Sequence, residues 1–354
     1  MDPNVEFYRR YPYPAQPTGY CRPVDPDFWP PFYSEAAHGG TLQFPDKPRI
    51  WVAGCGTHQA LDVALQFPKA SVLGTDLSDV SVAMCRRDAE DIGVQNLTLR
   101  VEDIMDAQYR DEFDLVFCTG VLHHMMQLED GFANIELALN RNGIAEVMVY
   151  NRFHIGQQLA FAEAIETLGG DPLGMAEYVL HRKLGVEEAD TLVHPSKFGY
   201  TVRSLTASTT MLLLQPARPG WWIDGLSPTV QHRLGELYDT ARWEVIQLLK
   251  YDQSPFLWFY FQRPDARRAR APECVLNEQF RQDAGKFEPA NTALNTWKRN
   301  IEGRIVPDAG VAEFPPRKPG DPLRINFEPS PELYNYSACR MMLASPYRPY
   351  FRRK

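Results

Sequence analysis

A glycine-containing turn between a strand and a helix is the feature of this sequence with the clearest chemistry. The turn is the stretch VAGCGT, residues 52–57, which follows an apolar run and precedes a helical pattern. Glycine adopts backbone angles denied to other residues and lets a ligand approach the main chain closely. The open N–H groups at the start of the helix favour an anionic group. We therefore predict a ligand site lined by Ala53, Gly54, Cys55, Gly56, Thr57 and His58.

A dinucleotide is not the ligand that this turn favours. The dinucleotide motif needs a third glycine for close packing of helix and strand, and Gln59 occupies that position. Asp76 follows the second strand pattern, 22 residues after Gly54, and Leu77 comes next. A carboxylate there can accept hydrogen bonds from both hydroxyls of a ribose. The alternative is that Asp76 only caps the helix that follows.

Two further segments end strand patterns on the same predicted edge of the sheet. Asp103 and Ile104 follow the third strand, where a carboxylate can accept from an adenine amino group and an apolar side chain can cover the ring. The fourth strand ends in FCTGVLHH, residues 117–124. His is the natural base near pH 7, so the catalytic candidates are His123, His124 and His194, with Tyr150 beside them. The structural alternative for each His is a cap or a satisfied buried polar group.

The elements that position these residues alternate between strand and helix. Strand patterns cover 50–53, 71–74, 97–101, 113–117 and 144–150, and the main helices are 61–67, 78–92 and 129–139, with a turn at 141–143. This alternation predicts an α/β fold with a doubly wound, mostly parallel sheet. Beyond it we expect a helical insertion over 151–200, a crossover helix over 201–214, a sixth strand at 221–223, a long helix over 229–250 and a strand at 256–261.

Together these motifs resemble those of the class I S-adenosylmethionine-dependent methyltransferases. The resemblance covers roughly residues 49–150 and includes the glycine turn, Asp76, Asp103 and the end of the fourth strand. It implies seven strands with the last one antiparallel, and S-adenosylmethionine as cofactor. It also implies that Cys118, Thr119 and Gly120 face the amino acid part of the cofactor. Residues 150–153, 191–195 and 200–202 are similar to a bacterial subgroup of these enzymes.

The rest of the chain predicts three units. Residues 1–48 are rich in proline and aromatics and predict an arm or lid, residues 49–262 the cofactor domain, and residues 263–354 a C-terminal extension. Lid candidates are Tyr8, Tyr11, Tyr13 and Arg152. An arm that only covers a sheet edge or a partner subunit is equally compatible.

Composition and residue spacing argue against several classes of function. The net charge of −8 argues against nucleic acid as the main partner, and no apolar run reaches the roughly 20 residues of a membrane span. The six cysteines show no CxxC pair and the eight histidines no HExxH spacing, so we expect no metal. A cytoplasmic enzyme is the simplest interpretation, with a homodimer left open.

The leading prediction is methyl transfer to an O, N or C atom of a small molecule, for example in specialised biosynthesis. A protein or peptide methyltransferase is the second candidate. A non-catalytic subunit that binds S-adenosylmethionine is the third.

Overall fold

The structure is a computed structural model. It describes residues 3–14, 20–21, 29–38, 42–216, 227–235, 239–249, 255–266 and 325–327. Within the described residues the fold centres on one seven-stranded sheet.

The sheet contains seven strands, numbered here in chain order: β1 Arg49–Ala53, β2 Ser71–Asp76, β3 Leu97–Val101, β4 Phe113–Thr119, β5 Leu139–Tyr150, β6 Leu212–Pro216 and β7 Phe256–Gln262. Their spatial order is β3-β2-β1-β4-β5-β7-β6. The first five strands are parallel, and β7 runs antiparallel between β5 and β6. The predicted α/β fold with an antiparallel last strand is therefore confirmed.

Helices cover both faces of the sheet because alternate side chains of each strand point to opposite faces. In β1, Trp51 and Ala53 belong to one hydrophobic core, while Ile50 and Val52 belong to the other. Because both faces are buried, β1 is a nearly continuous apolar run. The carboxyl ends of the parallel strands meet at one edge, which is where α/β folds bind ligands.

The helices outside the sheet are the following: α1 Pro3–Arg10, α2 Gln59–Gln66, α3 Asp79–Ile92, α4 Leu128–Ala138, α5 Gly156–Leu168, α6 Pro172–Leu180, α7 Val186–Val193, α8 Val202–Ala207, α9 Pro228–Gly235 and α10 Asp239–Leu249. Short helical segments occupy Trp29–Pro31, Phe32–Ala37, Ile104–Asp106 and Leu122–His124. Helices α5, α6 and α7 lie in the predicted insertion and share a small core with Phe7 and Tyr11. The arm helix α1 therefore packs on the insertion.

Two predictions about secondary structure are wrong. The crossover helix ends at Ala207, and β6 occupies the last positions of the predicted helix. Leucine favours helices, but pairing with the apolar β7 at the sheet edge outweighs that preference. The turn predicted at 141–143 lies inside β5. There the side chain of Asn140 accepts from the Asn142 N–H at 2.9 Å and donates to Asp114, so β5 accommodates an irregularity instead of turning.

Other expectations fall partly on residues outside the described ranges. The segment 221–223 lies outside them, so the sixth strand placed there stays a prediction. Of the long helix predicted over 229–250, α9 and α10 are helical, and 236–238 and 250 lie outside the described residues. Tyr20–Cys21 pairs in parallel with Ile325–Phe327 in a separate two-stranded sheet. None of the described helices is both long and apolar enough to span a membrane.

Candidate active site

The glycine turn joins β1 to α2 at the carboxyl edge of the sheet. Gly54 and Gly56 have φ angles of +68° and +54°, a region that side chains with a Cβ atom rarely adopt. A Cβ at Gly54 would lie 2.1 Å from the Cγ2 of Val121, and one at Gly56 would lie 2.5 Å from the carbonyl oxygen of Tyr13. The turn therefore needs glycine at both positions, for backbone geometry and for space.

Asp76 ends β2 beside this turn. Its Oδ2 accepts from the Gly56 N–H and its Oδ1 from the Ser78 N–H, both at 2.8 Å. The following helix is capped by Ser78, whose hydroxyl accepts from the Ser81 N–H at 3.2 Å, so capping does not account for Asp76. Burial raises the pKa of Asp76 to about 6 even though these two hydrogen bonds act in the opposite direction. A buried carboxylate that needs further donors fits a ligand with hydroxyl groups.

Asp103, which follows β3 at the same edge of the sheet, lies next to Asp76. Its charge contributes to the raised pKa of Asp76. Its Oδ1 caps the turn Ile104–Asp106 by accepting from the Met105 N–H at 2.9 Å. Ile104 is buried and Leu77 is half-buried. The structure therefore brings the carboxylates of Asp76 and Asp103 to one edge of the sheet, as the sequence predicted for a nucleoside site.

The end of β4 closes the other side of the glycine turn. The side-chain amide of Gln59, on α2, donates to the hydroxyl of Thr119 across the gap between the two elements. The N–H of Gly120 donates to the Met148 carbonyl at 3.1 Å. Cys118 is fully buried, and desolvation raises the pKa of its thiol. A thiol in that state is a packing residue and not a nucleophile.

The start of α2 is bonded to the arm. The Thr57 N–H donates to the carbonyl of Tyr13 at 3.2 Å, and the Thr57 hydroxyl donates to the carbonyl of Pro14 at 2.9 Å. His58 lies beside them, with its Nδ1 2.9 Å from the Thr57 hydroxyl and its Nε2 3.7 Å from the Asp62 carboxylate. The arm therefore contacts the predicted cofactor turn directly.

A buried polar cluster lies beyond the end of β4, and Asp190 on α7 is at its centre. Tyr150 donates to Oδ2 of Asp190 at 2.9 Å, and Tyr8 from the arm donates to Oδ1 at 3.1 Å. The Nε2 of His124 lies 3.8 Å from the same Oδ1. Desolvation, and after it the charge of Asp190, raises the pKa of both tyrosines, so both hydroxyls keep their protons.

Two more histidines complete the polar cluster. His123 stacks on Tyr150 with ring centroids 3.8 Å apart, and His194 stacks on His124 at 3.9 Å. Desolvation lowers the pKa of His123 and of His124, and it lowers the pKa of His194 to about 2. The three imidazoles are therefore neutral near pH 7. The Nδ1 of His123 and the Nε2 of His194 have no hydrogen-bond partner among the described residues.

The sequence predicted no metal, but His124, Asp190 and His194 place three potential ligand atoms within 4.8 Å of one another. Three observations disfavour a metal ion there. Both oxygens of Asp190 already accept from tyrosine hydroxyls. The Nδ1 of His194 accepts from the Ser196 N–H at 3.1 Å, so its Nε2 carries the proton and offers no lone pair. The positive charge of Lys197 acts on the same cluster.

The lid candidates occupy different places. Tyr8 is in the polar cluster, Tyr13 lies over the glycine turn, and Tyr11 packs on Phe7 in the core of the insertion. The side chain of Arg152 is exposed, and its N–H donates to the Tyr200 carbonyl at 3.0 Å. The structure therefore places Tyr8 and Tyr13 at the site and Arg152 at the surface.

Sequence reasoning missed three residues of the site. Asp190 and Ser196 belong to no motif that the sequence displays, and Gln59 was noted only as the residue in place of a third glycine. Asp190 is separated by 182 residues from Tyr8 and by 40 residues from Tyr150, so only the packing of the insertion brings them together. The acidic, weakly capped start of α7 carries no signal that marks Asp190 as buried.

Comparisons with known proteins agree with this geometry. Residues 51–147 match the family model of a methyltransferase domain. An uncharacterized protein of Synechococcus sp. is 28% identical, with 73% of this chain and 71% of that protein covered. Among solved structures, PKMT2 from Rickettsia typhi in complex with AdoHcy superposes with a TM-score of 0.56 at 17% identity.

The match to PKMT2 covers 74% of this chain, which spans 57% of the length of that protein. At this identity the likeness shows the fold alone. The matched domain covers the glycine turn, Asp76, Asp103 and the end of β4. Residues 51–147 thus carry a methyltransferase domain on a Rossmann-like fold, and the cofactor is S-adenosylmethionine.

Proposed function

We propose that this protein is an enzyme that transfers the methyl group of S-adenosylmethionine to a small-molecule acceptor. The observation that carries this proposal is the buried polar cluster around Asp190, which lies next to the predicted cofactor turn. Val121 packs on Gly54, and His123 and His124 follow it after Leu122. A cofactor held at the turn and an acceptor held at the polar cluster would therefore be neighbours.

The residues at the turn fit the cofactor. Gly54 and Gly56 bend the backbone between β1 and α2 so that the turn lies beside Asp76, where a ligand can approach the main chain. Asp76 would accept from the ribose hydroxyls, and Asp103 with Ile104 would receive the adenine. The methionine part would lie between the turn and Thr119. Bound there, the cofactor supplies an activated methyl group on a positively charged sulfur.

The protein's own contribution is positioning and exclusion of water, because the leaving group is already activated. Asp190, Tyr150, His123, His124 and His194 are each at most 5% exposed. An acceptor bound among them is shielded from solvent. A neutral imidazole in this cluster can take a proton from the acceptor.

The enclosure of the cluster supports a small acceptor over a protein. The arm covers the site, with Tyr8 bonded to Asp190 and Tyr13 bonded to Thr57. A small molecule can enter when the arm opens and is enclosed when the arm closes over it. A protein substrate needs an open groove. We also propose that residues 3–14 act as this lid.

The experiment is calorimetry of purified protein with S-adenosylmethionine and with NAD, followed by transfer of labelled methyl groups to a metabolite extract. We expect binding of S-adenosylmethionine alone and label in low-molecular-weight products. Asp76→Asn should weaken binding, and Asp130→Asn, an exposed carboxylate on α4, is the matched control.

Each of the other candidates has its own outcome in this experiment. Label in protein instead of small molecules would identify a protein methyltransferase. Binding without any transfer would favour a non-catalytic subunit. Binding of NAD in place of S-adenosylmethionine would refute the proposal.

A further inference from the structure

One residue of the polar cluster fixes the protonation of two histidines. The carbonyl of Ser196 accepts from Nδ1 of His124 at 2.7 Å, and the N–H of Ser196 donates to Nδ1 of His194 at 3.1 Å. A carbonyl can only accept and an N–H can only donate. Neutral His124 therefore carries its proton on Nδ1, and neutral His194 carries its proton on Nε2.

The two histidines consequently present opposite groups to the cluster. His124 offers a lone pair on Nε2, and His194 offers an N–H on Nε2. The Nε2 of His194 is buried and has no acceptor among the described residues. A buried donor without an acceptor is costly and marks a position where a ligand completes the hydrogen bonding.

A hydroxyl group is the ligand that satisfies both nitrogens. The ring centroids of His124 and His194 are 3.9 Å apart, and one nitrogen of each ring lies within 4.8 Å of the other and of an Asp190 oxygen. One oxygen at about 2.8 Å from each of two such nitrogens can contact both. A hydroxyl has one proton to donate and two lone pairs, so it can bond both histidines and keep one lone pair for attack.

We propose that the acceptor is a neutral alcohol or phenol, bound by its hydroxyl between His124 and His194, and that the protein is an O-methyltransferase. His124 is the base and His194 orients the acceptor oxygen. This inference rests on the proposed function.

The reaction balances in atoms and charge. The bond between the acceptor oxygen and the methyl carbon forms as the bond between carbon and sulfur breaks, and that electron pair stays on sulfur. The hydroxyl proton moves to Nε2 of His124. The positive charge thus passes from sulfur to the imidazole, where the Asp190 carboxylate, 3.8 Å away, stabilises it.

Other acceptors fit this pair of histidines less well. A carboxylate would be repelled by Asp190. An amine has a single lone pair, which the Nε2–H of His194 would occupy and so block from attack. The charged groups that face His124 are Asp190 and Lys197, which have opposite signs. The net charge around the histidine pair is therefore close to zero.

The first test reads the tautomers directly in the whole protein. We expect nitrogen NMR of histidine-labelled protein with S-adenosylhomocysteine to show His124 protonated on Nδ1 and His194 protonated on Nε2. His124→Gln and His194→Gln assign the signals. Either tautomer reversed would overturn the inference, whatever the activity.

The second test locates the transferred methyl group. Protein with carbon-13-methyl S-adenosylmethionine and a cell metabolite extract should give a methyl carbon bonded to oxygen. A methyl carbon on nitrogen or carbon would overturn the inference and leave the proposed function intact. Failure to bind S-adenosylmethionine would instead sink the proposed function.

Variants separate the two roles. His124→Gln should lower kcat by about 10²- to 10⁴-fold, the usual contribution of a general base. His194→Phe should raise KM and lower kcat/KM about 10-fold, and His194→Gln, which keeps a donor near Nε2, should recover most of that loss. His181→Asn, an exposed histidine with φ of +54° on the insertion, is the control and should change neither.

Discussion

Protonation of Asp76 should control cofactor affinity. The pKa of this carboxyl is raised to about 6 by burial in the free protein. Ribose hydroxyls donate to the ionised carboxylate, so the bound cofactor favours that form and lowers the pKa. The affinity for S-adenosylmethionine should therefore increase as the pH rises through about 6.

The size of this effect follows from the fraction of Asp76 that is ionised. With a pKa of about 6, roughly nine-tenths is ionised at pH 7 and roughly one-tenth at pH 5. If the bound form stays ionised, the Kd should be about tenfold weaker at pH 5, which corresponds to about 1.4 kcal/mol. Calorimetry at both pH values, in two buffers with different heats of ionisation, measures the affinity and the proton released on binding.

Two variants make this prediction specific. Asp76→Asn cannot ionise, so it should bind weakly at both pH values and lose the dependence. Asp130→Asn removes an exposed carboxylate on α4 and should keep the dependence of the parent protein. An affinity of the parent protein that stays constant between pH 5 and pH 7, or a tenfold change that persists in Asp76→Asn, would refute the reasoning.

Three further substitutions test other parts of the structure. Gly54→Ala should abolish cofactor binding, because its Cβ would lie 2.1 Å from Val121 at a φ of +68°; titration measures this, and a normal affinity would contradict the proposed turn. Tyr8→Phe removes a donor to the buried Asp190 and should destabilise the closed arm by about 1–3 kcal/mol, seen as faster proteolysis near the amino end; unchanged proteolysis would argue against the arm as a lid. Phe132→Ala leaves a cavity in the core and should lower the free energy of unfolding by about 3–5 kcal/mol, measured with denaturant; a loss below 1 kcal/mol would show that the core closes around it.

The sheet and the cofactor edge were readable from the sequence because their signals are local. Ile50 to Ala53 is a buried strand followed at once by the glycine turn, and Asp76 closes the next strand. Strand, turn and carboxylate each lie within a few residues of one another. The parallel pairing of the strands then brings these short patterns to one edge.

The polar cluster was only partly readable, because its contacts are distant along the chain. His123 and His124 follow a recognisable strand, but Asp190 and Ser196 come from an insertion without a motif. Their roles depend on which nitrogen faces which backbone atom, and residue types do not contain that information. The misplaced crossover helix has a similar cause, since β6 is a strand only because β7 offers it a partner.

The reversed direction of β7 has a consequence for how this edge of the sheet can vary. Strands β1 to β5 end at the edge that holds the glycine turn, whereas β7 begins there. The Asn151 N–H donates to the Pro255 carbonyl at 2.8 Å just before β7 begins. A substitution near Pro255 therefore acts on the same edge as the glycine turn without shifting the pairing register of β5 and β7. The fold thus offers one position outside the parallel strands from which that edge can vary.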